Sequence, residues 1–255
     1  MGCAVSEPLF DYLLRLGDGR LVLGHRLSEW CGHGPILEED IALANIALDL
    51  IGQANLLLGL AGEVEGKGRD ADALAYLRDA REFRNHPLAE LPNGDYAFTM
   101  VRLFLLSAHA YCLLDGLRSS SHRELAGIAA KAFKETTYHV RHSSEWLVRF
   151  GDGTEQSRRR VSTALEEAWR WTGTLFLADA VDRELQAQGL APDLAAAEPA
   201  WRALVDAALE RATLPLPSAA PLTGRGYRRG DHTEHLGHML AEMQVLARTH
   251  PGAEW

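Results

Sequence analysis

An all-α fold is predicted by three features of the sequence: apolar residues recurring at spacings of three and four, glycine and proline clusters between those runs, and almost no strand-like alternation. Ser6 is placed to cap a short first helix, with Leu9, Phe10, Leu13, Leu14 and Leu16 on its apolar side and Gly17 as its stop; a second helix runs from about Arg20 to Trp30. The punctuation Gly32-His33-Gly34-Pro35 then opens a long helix. Pro35 suits its first turn, Glu38, Glu39 and Asp40 favour the positive end of its dipole, and it is expected to reach Gly62. Its apolar residues Ile41, Leu43, Ala44, Ile46, Ala47, Leu48, Leu50 and Ile51 cover most of its circumference, which predicts a central helix and makes its polar residues Asn45, Asp49 and Gln53 informative.

A polar stretch from Glu63 to Asp72 leads into a shorter helix expected to run through Arg84, and the turn Leu91-Pro92-Asn93-Gly94 precedes another long helix from Asp95 to Arg118. Ser119-Ser120-Ser121 breaks the pattern. The next helix spans His122 to Phe150 and stops at Gly151-Asp152-Gly153, after which Thr154 caps one reaching Leu177. These complete four long helices. Shorter segments at Asp179 to Gln188 and Pro199 to Thr213 precede a Pro/Gly-rich arm, Leu214 to Gly230, and a terminal helix from Asp231 to Thr249. That arm is too short to link a separate core, so the last helix is expected to bury Leu236, Met239, Leu240, Met243 and Leu246 on the bundle or on a partner.

With 255 residues, 47% of them hydrophobic, the chain supports one core, and a single domain over 1–255 is expected. A formal charge of −9 gives no field for collecting nucleic acid or an anionic membrane surface. Arg158, Arg159 and Arg160, with Arg225, Arg228 and Arg229, form short basic runs that serve at most in docking. Cys3, Cys31 and Cys112 are widely spaced thiols suited to a reducing, cytoplasmic compartment. The N-terminus lacks a signal-peptide pattern, although Met1-Gly2-Cys3-Ala4-Val5-Ser6 matches the loose myristoylation motif, and no apolar segment is expected to span a bilayer.

Carboxylate-bridged di-iron bundles take an acid from each of two helices and an acid-x-x-His pair from each of the other two, because residues three apart reach the same metal from one helix face. None of the eleven histidines here has an acid three positions before it. Acids stand four before in Glu135/His139, Asp231/His235 and Glu234/His238, a spacing that suits helix-surface pairs as well as an irregular metal site. Glu135, His139 and His142 share a face and form the best polar cluster, open to a structural, metal-binding or interface role. His232, His235 and His238 stripe the terminal helix, where contact with a partner or solvent is expected. No P-loop, G-x-G-x-x-G or G-x-S-x-G motif is present.

Leu27-Ser28-Glu29-Trp30-Cys31-Gly32-His33-Gly34-Pro35, followed by Glu38-Glu39-Asp40-Ile41-Ala42-Leu43-Ala44-Asn45-Ile46-Ala47-Leu48-Asp49-Leu50, resembles the PaaC-type subunits of bacterial phenylacetyl-CoA epoxidases. So do Arg81-Glu82-Phe83-Arg84-Asn85, Leu91-Pro92-Asn93-Gly94-Asp95, Tyr138-His139 with His142-Ser143-Ser144-Glu145-Trp146, Gly151-Asp152-Gly153-Thr154 and His232-Thr233-Glu234. The resemblance implies a ferritin-like four-helix bundle with additional N- and C-terminal helices, in a hetero-oligomeric monooxygenase that epoxidises the ring of phenylacetyl-CoA with O2 and NADPH-derived electrons. It implies a non-catalytic structural role beside a catalytic PaaA subunit that holds the di-iron centre, with FAD, NADPH and iron-sulfur chemistry in a reductase subunit and no cofactor in this one.

Placing the family's ligand pattern on the long helices puts Asp49 at the first acid position and Ser107 with Ala110 where an acid-x-x-His would stand. Glu135 takes the third position, and Glu166 or Glu167 the fourth, with Trp169 or Arg170 at the paired histidine place. Arg102, Lys131, Lys134 and Arg170 are the candidates for compensating any acid left buried without metal. Two other readings are a self-sufficient di-iron oxidase or ferroxidase, and a regulatory module that binds a thioester.

Overall fold

A computed structural model describes residues 6–224 and 226–253. The Met1–Ser6 myristoylation pattern, Cys3, the Ser6 side chain as a cap and Arg225 lie outside what is described. In chain order the helices are α1 (Ser6–Ser28), α2 (Leu37–Glu65), α3 (Ala71–Tyr76), α4 (Pro87–Glu90), α5 (Tyr96–Leu117), α6 (Arg123–Gly151), α7 (Glu155–Trp169), α8 (Ala180–Ala187), α9 (Leu194–Arg211), α10 (Glu234–Met243) and α11 (Val245–Thr249). Turns of 3-10 helix lie at Ala80–Glu82, Thr172–Thr174 and Tyr227–Arg229. Every regular element among the described residues is helical, as the periodicity predicts. The chain forms two compact units, one running to Pro92 and resuming at Gly226, the other spanning Asn93–Arg225.

The first unit is built on the α1–α2 pair. Gly17 does not stop α1. A side-chain carbon there would lie 2.8 Å from Leu58 Cδ2, and one at Gly24 would lie 3.0 Å from Ile51 Cγ1, so these glycines let α2 approach closely. Contacts of 17 with 58 and of 24 with 51 also show that the helices run antiparallel. Burial of Leu13, Val22 and Leu27 against Leu43, Ile46, Leu57 and Leu58 carries one continuous helix across what looks in sequence like a break. α2 begins two residues after Pro35 and ends at Gly66, whose φ of 68° and N–H to the Gly62 carbonyl make a left-handed cap.

The expected helix through Arg84 ends instead at Tyr76. Leaving the helix there lets Arg78 turn inward onto buried Asp18, which also accepts the Arg84 backbone N–H at 2.8 Å. The terminal segment then serves the carbonyls this break leaves over. Gln244 interrupts the expected continuous last helix and donates its amide to the Ala75 and Arg78 carbonyls at 3.1 and 2.9 Å, while Arg248 reaches the Arg78 carbonyl at 2.9 Å. Leu236, Met239 and Leu240 are buried as expected, Met243 partly, whereas Leu246 is exposed.

In the second unit, α5, α6 and the start of α7 fall within a residue or two of their predicted limits, because their caps are local. Asp95 accepts the Phe98 N–H at 2.9 Å, His122 Nδ1 accepts that of Leu125 at 3.3 Å, and Thr154 accepts that of Ser157 at 3.2 Å. α5 is the core helix, with an unbroken buried run from Ala97 to Ala108. α7 stops at Trp169, short of Leu177, where Trp169 stacks on Trp201 of α9 with ring centroids 5.7 Å apart. Trp201 donates its indole N–H to the Leu105 carbonyl at 3.2 Å, fixing α9 to α5.

Among the described residues two helices, α2 and α5, are long and apolar enough to cross a membrane, each with an 18-residue window of mean hydropathy 1.6, contrary to the expectation that no segment is. Burial accounts for α5, whose window is 83% buried. In α2 only 44% is buried, so much of its apolar surface is open.

Candidate functional site

The residues at the degenerate ligand positions of the second unit face different surroundings. Ser107 is buried on α5, Ala110 is half-buried one turn on, and Glu135 of α6 is half-buried, with Lys131 Nζ at 3.9 Å. His139 is fully buried one turn beyond, and Ser143 donates to its carbonyl at 2.6 Å. Tyr138 lies against the His142 ring at 5.7 Å, so the α6 cluster is part polar and part aromatic.

Glu166 points to the 214–224 arm. One carboxylate oxygen accepts the Ser218 N–H at 2.8 Å and the other the Ala219 N–H at 2.8 Å, and these backbone donors hold its pKa below the ordinary glutamate value. Glu167 and Arg170 are exposed, and Trp169 stands in the apolar core. The donor set does not fit a di-iron centre. A serine hydroxyl is a weak ligand, Ala110 offers none, and the Trp169 indole has an N–H but no free nitrogen lone pair. Among the described residues, no three His, Cys, Asp or Glu side chains are grouped as metal ligands would be.

In the first unit Asp49 is half-buried on α2. Gln53, one turn on, is buried and accepts from Arg20 Nε at 3.0 Å, while Arg20 Nη1 donates to the Leu16 carbonyl at 2.8 Å. Burial pulls the Arg20 pKa down to about 10, which leaves it charged at neutral pH.

The deepest carboxylates are Asp18 and Glu90, both 0% exposed and neither a sequence candidate. Asp18 meets the Arg78 guanidinium with both oxygens, and that guanidinium lies 4.3 Å from the centre of the Phe83 ring. Glu90 accepts from Asn85 Nδ2 at 2.8 Å and from the Thr233 N–H at 2.5 Å, and His232 Nδ1 lies 2.8 Å from it. His232 Nε2 is 2.9 Å from the Phe83 carbonyl, and Arg26 donates to the Glu90 carbonyl at 2.8 and 3.1 Å. Thus His232 turns inward, against the expectation of partner or solvent contact, while His238 is exposed.

Two sequence motifs far apart in the chain, Arg81–Asn85 and His232–Glu234, converge on this one acid. One suggested compensator, Lys131, does stand beside an acid at a ligand position. Arg102 donates to the Asn93 side-chain oxygen, Lys134 and Arg170 are exposed, and Lys131 approaches Glu135 only loosely. The only sequence signal for Asp18 and Glu90 is an acid within an apolar run, Leu13–Leu23 for the first and Pro87–Leu91 for the second.

Several arginines of the basic runs are engaged within the chain. Arg158 donates to the Thr213 carbonyl, Arg159 to Glu155 at 3.3 Å, and Arg228 to Tyr227 Oη at 3.1 Å. An open cleft of about 630 Å³ beside α5 and α9 carries Asp115 and Asp193, and one of about 600 Å³ in the first unit carries Asp70 and Asp72. Both linings are mostly apolar and their only Asp, Glu, Lys or Arg charges are these aspartates, which disfavours the phosphates of a coenzyme A thioester. Cys112 lines the larger cleft, and burial pushes its pKa up to about 11, making the thiol a poor nucleophile.

Comparison with known families places the whole chain, residues 1–255, on the model described as phenylacetic acid catabolic protein. The chain belongs to that family. Among curated relatives of this phenylacetic acid catabolic protein family, the PaaC subunit of 1,2-phenylacetyl-CoA epoxidase from Escherichia coli (strain K12) is 48% identical over 249 residues, covering 98% of this chain and all of that one. The all-α, ferritin-like class read from the sequence is therefore the class of both the fold and the family.

Proposed function

We propose that this chain is the non-catalytic structural subunit of a multicomponent 1,2-phenylacetyl-CoA epoxidase in aerobic phenylacetate degradation, a cytoplasmic protein that pairs with and stabilises the di-iron catalytic subunit. The observation that carries the reading is where the acids at the ligand positions put their charge. Glu166 is given to two backbone N–H groups of the 214–224 arm, Glu135 lies beside a lysine, Ser107 offers iron only a weak hydroxyl ligand, and Ala110 and Trp169 offer it none. The likeness to a PaaC subunit supports the enzyme and the hetero-oligomer. Oxygen chemistry then belongs to the catalytic partner, and electron delivery through NADPH, FAD and iron-sulfur groups belongs to a reductase subunit. This chain's part is to supply a stable helical frame.

The test is purification of the chain alone and co-expressed with the catalytic subunit, with iron analysis and NADPH- and oxygen-dependent turnover of phenylacetyl-CoA. The expected result is no turnover from the chain alone, and a catalytic subunit whose yield and melting temperature rise when the chain is present. Two irons per chain with turnover in isolation would overturn the proposal and favour a self-sufficient oxidase.

A further inference from the structure

Glu90 and His232 meet inside the first unit with side chains 0% and 5% exposed. His232 Nδ1 lies 2.8 Å from Glu90 Oε2, and Nε2 lies 2.9 Å from the Phe83 carbonyl oxygen. Turning the ring over would set carbon atoms at those places, inside the roughly 3.3 to 3.6 Å at which a C–H group meets oxygen. Both contacts therefore belong to ring nitrogens.

A carbonyl oxygen only accepts, so Nε2 carries a hydrogen. A neutral imidazole has a single N–H, which would leave Nδ1 with its lone pair facing the Glu90 carboxylate. The contact needs one proton more, on Nδ1 as an imidazolium or on Oε2 as a carboxylic acid. Either placement gives the pair the same proton count. Without that proton two acceptors would stand face to face, buried away from water.

Other charges around the pair do not take its place. Among the described residues the Glu90 carboxylate is met by Asn85, Thr233 and His232, and by no arginine. Arg26 of α1 donates instead to the Glu90 and His235 carbonyls at 2.8 and 3.3 Å and meets Glu29 at 2.7 Å. Before α4, Arg78 is paired with Asp18 beside the Phe83 ring, Arg84 meets Asp11 at 3.1 Å, and His86 lies against Tyr227. Asp231, Glu234 and His235 flank His232 in its own segment, and Arg81 packs through its carbonyl against Gly230.

The contact also joins remote parts of the chain. His232 follows Glu90 by 142 residues, and Thr233, which donates its N–H to Oε1 at 2.5 Å, is the residue from which α10 starts.

We propose that Glu90 and His232 share one proton, and that this proton latches the start of α10 onto α4. Docked, the pair holds one proton more than a separate carboxylate and neutral imidazole, so rising pH loosens the C-terminal segment. Leu236, Met239 and Leu240 remain buried contacts of α10, which places the loosening at its first turns.

The test is hydrogen-exchange mass spectrometry on the full chain from about pH 6 to about pH 9, spanning the ordinary range of histidine, with rates corrected for intrinsic amide chemistry. Protection at the start of α10 is expected to fall about tenfold or more relative to α5. Glu90→Gln, whose amide can donate to a neutral imidazole, is expected to be less protected at pH 6 and to lack that fall. His238→Gln, at an exposed histidine of the same helix, should keep it. A fall in α10 no larger than in α5, one retained in Glu90→Gln, or one abolished in His238→Gln overturns the proposal. Should α10 of Glu90→Gln be unprotected throughout, NMR of the unmodified chain decides. The His232 ring signals are expected to move over the same pH interval in which α10 loosens, and signals that stay fixed or move elsewhere overturn the latch.

Discussion

Acids at the positions where the family's ligand pattern falls and acids at the heart of the first unit are handled in opposite ways. Asp49, Glu135 and Glu166 are half-buried; Glu135 has a lysine at 3.9 Å and Glu166 takes the backbone of an arm. Asp18 and Glu90 are fully buried and surrounded by donors from Arg78, Arg84, Asn85 and Thr233, with His232 against Glu90. A carboxylate withdrawn from water needs compensating charge or several hydrogen bonds. At Asp18 and Glu90 the chain supplies those partners itself, whereas Asp49, Glu135 and Glu166 keep water within reach.

The largest effect expected from that contrast is at Asp18. Asp18→Ala strands the Arg78 guanidinium in the core and should cost about 3 to 5 kcal/mol, read as a shift in urea midpoint at constant m-value. Glu90→Gln comes next. It keeps the shape but weakens charge-assisted bonds to the Thr233 N–H and His232, for a loss of about 2 kcal/mol, with faster amide exchange concentrated in α10. An equal loss from Glu135→Gln would break the comparison.

Gly17→Ala tests packing in place of charge. The added methyl meets Leu58, and destabilisation of about 1 to 3 kcal/mol is expected, whereas Gly127→Ala, on open surface of α6, should stabilise by about 0.5 to 1 kcal/mol in the same denaturation assay.

The smallest effects belong to the ligand positions. Asp49→Asn and Glu135→Gln should each change stability by no more than about 0.5 kcal/mol. Glu166 contributes a pH dependence of known sign. Because its folded pKa is lowered, its hold on Ser218 and Ala219 is complete above the ordinary glutamate value and is lost as pH falls through the lowered one. Limited proteolysis of the arm should therefore quicken on acidification, and Glu166→Gln should flatten that response.

How far each element could be read ahead of the structure depended on the range of its cause. α5 and α6 are legible because Asp95 and His122 act within three residues of themselves, and because apolar periodicity is a property of the helix alone. Gly17 misled because a helix-ending glycine and a helix-crossing glycine look the same until Leu58 is beside it. The break after Tyr76 and the interruption at Gln244 were illegible for the same reason. Each answers a partner some 60 to 170 residues away, Asp18 for Arg78 and the Ala75 carbonyl for Gln244. At the candidate site, the missing acid-x-x-His spacing is a local fact, and so it was readable. The destination of Glu166 was not, since it turns on an arm 52 residues further on.

By itself, then, the sequence determined the all-α class, the caps of the central helices and the absence of any acid-x-x-His spacing, since each depends on residue types at fixed short intervals. Tertiary structure alone decided which acids are buried, that His232 faces inward and that one face of α2 is left open. Those outcomes depend on which distant donors and apolar surfaces come together, and on the desolvation cost that only their meeting can offset.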